Sequence, residues 1–473
     1  MKENATNATT DLTEIRSIIN SYMSDSRPLA ELEDLIDIAA FMMYATYVSR
    51  NYQILSINLD PIFQVDAAPA RMGNDYVAHQ FVEAYEMLES PCCKLPHVEF
   101  DLKRRVDMQK AILAWVRTLD RSSFPLKETE GFNIAHSIAG ALEEVYSMDD
   151  GRLACQFASY TPLAKLIVSL GDVNGKSVFD PACGFGSFLA EASFAGASSL
   201  TGSDIDPHAL QRARLLTFFA DPRGSIALAS ENSLLRSEGK LFDRILCAPP
   251  LGMRITRSDI EECAHAVMPL EDGTAPSGPH GEDYFIARTL AELNDDGIAV
   301  LHVSPSFLYQ QQKSRREFRQ ALVAQGHIDA VIELAGGCVP GTAVKSAIVI
   351  LSKNPSERDV LLIDATSGAL EGKGYFDQTR RQWSPTKTGI EWLTETVRNR
   401  EEIPSVSVLV PRERIVETDA DLCFATYGDV YTDEVKTRPT SDILADIGKS
   451  HDRAEKLDAQ IGAILTALRG DAK

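Results

Sequence analysis

From Ser177 onward, short runs rich in β-branched residues alternate with helical stretches, and this alternation constrains the fold of the 473-residue chain more than any other feature. The runs fall at 178–179, 200–203, 245–246, 298–303, 328–334 and 344–351. Strands separated by helix-length segments pair in parallel and carry helices on both faces, so the pattern predicts a doubly wound α/β sheet. Only a Gly/Pro-rich segment, Gly336-Gly337-Cys338-Val339-Pro340-Gly341, separates the last two runs. It is too short for a crossover helix and predicts an antiparallel hairpin at one sheet edge.

Before this region the period is helical. Between residues 12 and 147 apolar residues recur at three- and four-residue steps, as at Val106, Met108, Ile112, Leu113, Val116 and Leu119, with breaks at Pro61, Pro69, Pro91 and Pro96. The most apolar stretch, 38–48, is far shorter than the ~20 residues of a membrane span and predicts a buried helix, with no membrane partner. After about Ala365 regularity fades until a helix over 441–468. The expected division is a helical domain at 1–148, an α/β core at 149–365, and an extension at 366–473 with an amphipathic terminal helix.

Sixty-eight acidic against 47 basic side chains give a formal charge of −21, which excludes a sequence-blind grip on nucleic acid by the whole surface. Any DNA contact must be local or supplied by a partner. The eight cysteines form no C-x-x-C pair and no His lies at metal-ligand spacing, so reduced thiols and no metal centre are expected. The polar N-terminus lacks the apolar core of a secretory signal, which predicts a cytoplasmic protein.

The strongest local signal is Val178-Phe179-Asp180-Pro181-Ala182-Cys183-Gly184-Phe185-Gly186-Ser187-Phe188-Leu189, a strand running through a two-glycine turn into a helix. Such a turn lets backbone approach a ligand closely. About twenty residues on, Gly202-Ser203-Asp204-Ile205-Asp206 places a carboxylate at the end of the next strand, where it can accept hydrogen bonds from ribose hydroxyls.

Together these elements resemble the S-adenosylmethionine site of class I methyltransferases. The wording Asp180-Pro181-Ala182-Cys183-Gly184 with Phe188-Leu189 is similar to the D-P-A-C-G-S-G-G-F-L motif of adenine-N6 DNA methyltransferases, above all the modification subunit of type I restriction-modification systems. Tyr160-Thr161-Pro162 matches that family's Y-T-P element, and residues 241–252, Leu-Phe-Asp-Arg-Ile-Leu-Cys-Ala-Pro-Pro-Leu-Gly, stand where the family has F-D-x-x-x-x-N-P-P-F-G. Asp283-Tyr284-Phe285, Gly297, Pro305, Arg319 and Gly341-Thr342 also have counterparts.

The resemblance implies a seven-stranded class I core that binds S-adenosylmethionine. It places Tyr160, Thr161, Pro162 and Asp180 near the methionine end and Ala182, Cys183, Gly184 and Gly186 in the turn beneath. Asp204 and Ile205 fall on the nucleoside, and Glu231-Asn232-Ser233 at the family's acidic position, where Asn232 can accept from the adenine amino group. Phe185, in place of a small residue, is expected to narrow the pocket.

The catalytic motif departs from the family. Ala248-Pro249-Pro250-Leu251 replaces N-P-P-F/Y, so Ala248 offers no side-chain acceptor for an adenine amino group and Leu251 no π-face for the flipped base. Pro249 still presents a backbone carbonyl. Adenine methylation is therefore doubtful, and two alternatives stand beside it: an inactive methyltransferase-like scaffold or regulatory subunit, or a methyltransferase for another acceptor.

Other candidates have plainer readings. His280 is expected to be a solvated loop residue, Lys313, Arg315, Arg316 and Arg319 the exposed face of a helix starting near Gln311, and Cys247 a core strand residue. Ile447, Ala454, Ile461 and Leu468 with Leu457 and Ile464 fall at heptad positions, and the resemblance makes a specificity-type subunit or a second copy the expected partner of that helix. DNA would then be engaged within a complex.

Overall fold

The computed structural model describes residues 2–26, 32–51, 53–55, 133–146, 161–222, 226–235, 239–266, 269–338, 343–354, 358–378 and 383–431, with 114–115, 117–119, 121–122 and 126–128 between them. The four proline breaks, Tyr160, Gly341-Thr342 and the 441–468 helix lie outside the described residues. Met1–Val430 form one compact unit, distinct from Tyr431–Lys473, and all that follows concerns the first.

Helix α1 (Lys2–Ser26), α2 (Leu32–Asn51) and α3 (Asn133–Tyr146) form a bundle. The apolar 38–48 stretch is buried inside α2, as its composition predicts, with Met42, Tyr44, Tyr47 and Val48 all within the bundle core. Buried polar atoms find partners there: Trp115 Nε1 donates to Thr46 Oγ1 at 3.0 Å and the Tyr47 hydroxyl to Glu128 at 2.9 Å. The Glu128 carboxylate also receives the Ala135 amide at 2.8 Å, which satisfies a free donor in the first turn of α3.

Among the described residues the sheet has nine strands: β1 (Ser177–Asp180), β2 (Ser199–Asp204), β3 (Ile226–Ser230), β4 (Phe242–Cys247), β5 (Leu293–Val303), β6 (Ile328–Leu334), β7 (Ser346–Ser352), β8 (Val360–Asp364) and β11 (Ser407–Val410), in the order 11-8-6-7-5-4-1-2-3. A separate hairpin joins β9 (Phe376–Gln378) and β10 (Trp383–Pro385). Strands β1 to β5 pair in parallel, and β7 runs antiparallel between β5 and β6. The expected seven strands with their antiparallel hairpin are present, but the sheet does not end there. Strand β8 pairs in parallel with β6, and β11, from the stretch that shows no regular period, closes the edge antiparallel to β8.

Successive residues feed opposite layers. Ile245 and Cys247 enter the core on one face and Leu246 the core on the other, and β8 does the same with Val360 and Leu362 against Leu361 and Ile363. A strand buried on both faces needs apolar residues at every position, which is why these runs do not alternate with polar residues. Helices α4 (Thr161–Gly171) and α5 (Ser187–Phe194) cover one face, and α8 (Gly281–Glu292) and α10 (Lys313–Ala324) the other. Between α5 and α8 come α6 (Pro207–Ala220) and α7 (Arg257–Ala266), and before α10 the single turn α9 (Ser306–Tyr309). Strand order reverses between β1 and β4, so the loops after both strands open on one crevice, the usual place for a ligand in an open α/β sheet. No helix among the described residues is long and apolar enough to cross a membrane.

Candidate cofactor and catalytic site

The turn after β1 is built to bring backbone close to a ligand. Gly184 and Gly186 adopt φ of 51° and 85°, a region that side chains disfavour. A Cβ on Gly186 would lie 3.2 Å from Ala213 Cβ on α6, and one on Gly202 only 2.6 Å from Leu189. The turn is tied to its neighbours at three strand ends. The Cys183 amide donates to the Ser203 carbonyl at 3.0 Å, the Gly184 amide to Asp204 Oδ2 at 2.8 Å, and the Ser233 hydroxyl lies 2.8 Å from Ser203 Oγ while donating to the Pro181 carbonyl.

Asp180 and Asp204 stand at the ends of β1 and β2, nearly buried, and neither has an ion-pair partner among the described residues. Burial, added to by Asp204, pushes the Asp180 carboxyl well above the ordinary range, and burial likewise raises Asp204. Beside them Ile205 is 69% exposed, an apolar surface next to a carboxylate with spare acceptor capacity. Asn232 Oδ1 accepts from the Leu234 amide at 3.1 Å. Two under-compensated carboxylates, an open apolar side chain and a glycine turn suit a cationic nucleoside-containing ligand.

After β4, Ala248 and Leu251 pack against the apolar layer that contains Cys183 and Phe188, and Pro249 is buried. The loop turns at Gly252, φ 67°, with the Met253 amide donating to the Pro250 carbonyl at 3.0 Å. The Gly252 amide donates to Glu282 Oε1 at 3.1 Å.

Residues 142–436 match the family model described as N-6 DNA Methylase. The chain belongs to this family. Within the N-6 DNA methylases it is type I modification-subunit-like: it is 20% identical over 400 residues to a type I restriction enzyme MpnII methylase subunit of Mycoplasma pneumoniae, covering 80% of this chain and 71% of that one. Its fold matches a type I restriction-modification methyltransferase subunit from Streptococcus thermophilus at TM-score 0.70 and 18% identity, covering 89% and 100% of the two chains. A modification subunit of a putative type I restriction enzyme from Vibrio vulnificus follows at TM-score 0.60 and 15% identity, covering 85% and 93%. Membership in the N-6 DNA methylase family implies S-adenosylmethionine as cofactor.

In this N-6 DNA methylase family member Thr161 and Pro162 open α4. They line a cleft of about 820 Å³ with Glu143, Lys165 and Glu191, and Thr161 donates to Glu143 Oε2 at 3.3 Å. Phe185 does not narrow the cofactor turn; it is 3% exposed and packs into the helical bundle. His280, expected in solvent, is buried with Nε2 2.9 Å from Gln312 Oε1. Cys247 is a buried strand residue, as expected.

The expected cationic helix face is also divided. Lys313 is exposed, but Arg315 and Arg319 are wholly buried. Arg315 bridges Glu282 at 2.6 Å and Asp283 at 2.8 Å and donates to Ser306 Oγ at 2.9 Å. Arg319 donates to the carbonyls of Phe307, Gln310, Asp419 and Ala420, tying α9 to the segment that follows α12 (Arg412–Glu417), which comes after α11 (Lys387–Asn399). Sequence reasoning missed Glu282, whose carboxylate receives Gly252 and Ser304 amides together with Arg315 and so braces the loop after β4. Burial works to raise that carboxyl, but Arg315 and the two amides outweigh it and hold it below the ordinary range. Its only sequence signal is a pair of acids opening α8, which reads equally as a favourable helix start.

Proposed function

We propose that this chain is an S-adenosylmethionine-binding, type I modification-subunit-like protein that has lost DNA adenine methylation and acts as a scaffold or regulatory member of a complex. The observation that carries the reading is the composition of the β4 exit. Ala248 has no acceptor for an amino group, and Leu251 is laid against the apolar layer. When bound, S-adenosylmethionine supplies an electrophilic methyl group. Asp180 and Asp204 would meet its charged and ribose groups, the Gly184–Gly186 turn its backbone-facing side, Ile205 its base, and Asn232 the base edge, while the buried Ser233 hydroxyl is engaged with the Pro181 carbonyl and Ser203. Removing one positioned hydrogen-bonding group costs about 10²–10³ in rate, and removing a stacking platform about 1–3 kcal/mol of base binding, so little adenine transfer survives both.

A second reading is methyl transfer to another acceptor. It is favoured by the intact loop support, since Glu282 and Arg315 still brace Gly252. For partners, a specificity-type subunit or a second copy joined through 441–468 fits the reading, with DNA met inside that complex and the cytoplasm as compartment. Tritiated methyl transfer from S-adenosylmethionine onto unmethylated DNA and small-molecule extract, with and without neighbouring gene products, separates the readings. Binding by calorimetry without transfer to any acceptor supports the scaffold, label in a non-adenine product supports the second reading, and no binding removes both.

A further inference from the structure

We infer that the N-terminal helical bundle positions the cofactor turn, and that Phe185 is the residue through which it does so. This rests on the cofactor reading above. Between Gly184 and Gly186 the turn carries one side chain, and that side chain belongs to the bundle core with Tyr44, Tyr47, Phe218 and Phe219 instead of either sheet layer. The Phe185 ring lies 5.5 Å from the Tyr146 ring of α3. The Arg212 guanidinium of α6 sits 4.7 Å above Phe185 and 5.4 Å from the Tyr146 ring, and its Nε donates to Asp37 Oδ1 on α2 at 2.7 Å. A chain of contacts therefore runs from α2 through α6 to the backbone that the ligand would touch.

The opposite side of the turn is fixed by the sheet, through the Gly184 amide on Asp204, and by α6, through the close approach of Gly186 to Ala213 and Thr217. A two-glycine turn loses more conformational freedom on ordering than any other, so an anchor on each side is what keeps it in the binding conformation before a ligand arrives. Phe185 would thus be a positioning residue with no ligand contact of its own, and the bundle a part of the binding apparatus.

The experiment compares wild type, Phe185→Ala, Phe185→Leu, Asp37→Ala and the Phe185→Ala/Asp37→Ala double variant, using calorimetric titration with S-adenosylmethionine and deuterium exchange of the 183–187 amides in cofactor-free protein. Phe185→Ala should weaken binding by roughly tenfold or more and speed exchange in the turn. Phe185→Leu, which refills the site, should recover most of both. Asp37→Ala should move both readouts the same way by less, and the double variant should lose less than the product of the single effects. Folded variants with wild-type affinity and wild-type exchange would overturn the inference and leave Phe185 a core filler. If wild type itself binds no S-adenosylmethionine, the cofactor reading fails, and the exchange data decide the anchoring alone. Should Phe185→Ala fail to fold, Phe185→Leu with Asp37→Ala decides it: unchanged exchange in Asp37→Ala counts against the coupling.

Discussion

Arg315 Nη2 lies 2.6 Å from Glu282 Oε2 with both side chains fully shielded from solvent, beneath the loop that leaves β4. Asp283 shares the same guanidinium at 2.8 Å, and burial, only partly offset by Arg315, raises its carboxyl above the ordinary range. Desolvating such groups is costly, so the arrangement is stable only while complete.

Replacing Arg315 by Met should therefore destabilise the protein by about 3–5 kcal/mol, because it strands two buried carboxyls. Arg315→Lys should recover only part of this, since an ammonium cannot present the guanidinium fork to Glu282 and Asp283 together. The triple change Glu282→Gln, Asp283→Asn, Arg315→Met should be milder than Arg315→Met alone. Urea denaturation midpoints order the four proteins, and a single variant no weaker than the triple would contradict the argument.

Asp204→Ala should lower S-adenosylmethionine affinity by roughly 10–100-fold, the value of one or two hydrogen bonds to a charged group. It removes the proposed ribose acceptor together with the acceptor for the Gly184 and Asp206 amides. Calorimetry gives the ratio directly, and an unchanged affinity would mean that the ligand does not lie against the end of β2.

At the β4 exit, the wild-type protein in its complex should form almost no N6-methyladenine. Ala248→Asn with Leu251→Phe should raise the yield on the order of 10²-fold, since it restores an amide acceptor and a stacking face on a loop whose brace is intact. Nucleoside mass spectrometry of the DNA is the readout. Efficient adenine methylation by the unmodified chain would refute the loss of function.

His302, on β5, gives a pH signature. Burial pushes its imidazole down to about 4, and its Nε2 meets no hydrogen-bond partner among the described residues. In the unfolded chain the group titrates near ~6.5, so between those values the unfolded state takes up a proton that the folded state refuses. The contribution is whole above about pH 6.5, is lost as pH falls toward about 4, and amounts to something on the order of 3 kcal/mol. His302→Leu leaves no stranded partner and should flatten that slope. Urea midpoints at pH 7.5 and 4.5 test it, and equal slopes in both proteins would exclude His302 as the source.

How much of this protein its sequence determined depends on how local the physics is. Strand segments buried on both faces must be apolar at consecutive positions, so residues 299–301 and 330–332 declared themselves, while Asp329 and Glu333 fall where their strand is only half-buried. The two-glycine turn and the acids at 180 and 204 were legible for a similar reason, because a left-handed φ and a strand-end carboxylate are properties of a few consecutive residues. Tertiary structure decided the rest. Strand β11 carries β-branched residues at Val408 and Val410, but its place at the sheet edge is decided by β8, which offers the edge it pairs with. Arg315 and Arg319 read as an exposed face beside Lys313 and Arg316, yet they are buried because Glu282, Asp283 and the carbonyls at 419 and 420 wait for them across the fold. Phe185 looked like a plug in its own turn; its ring turns the other way because Arg212 and Tyr146 come together beside it, from positions 27 residues after it and 39 before it. A charge or an aromatic ring is placed by whatever can compensate its burial, and that partner is rarely a neighbour in sequence.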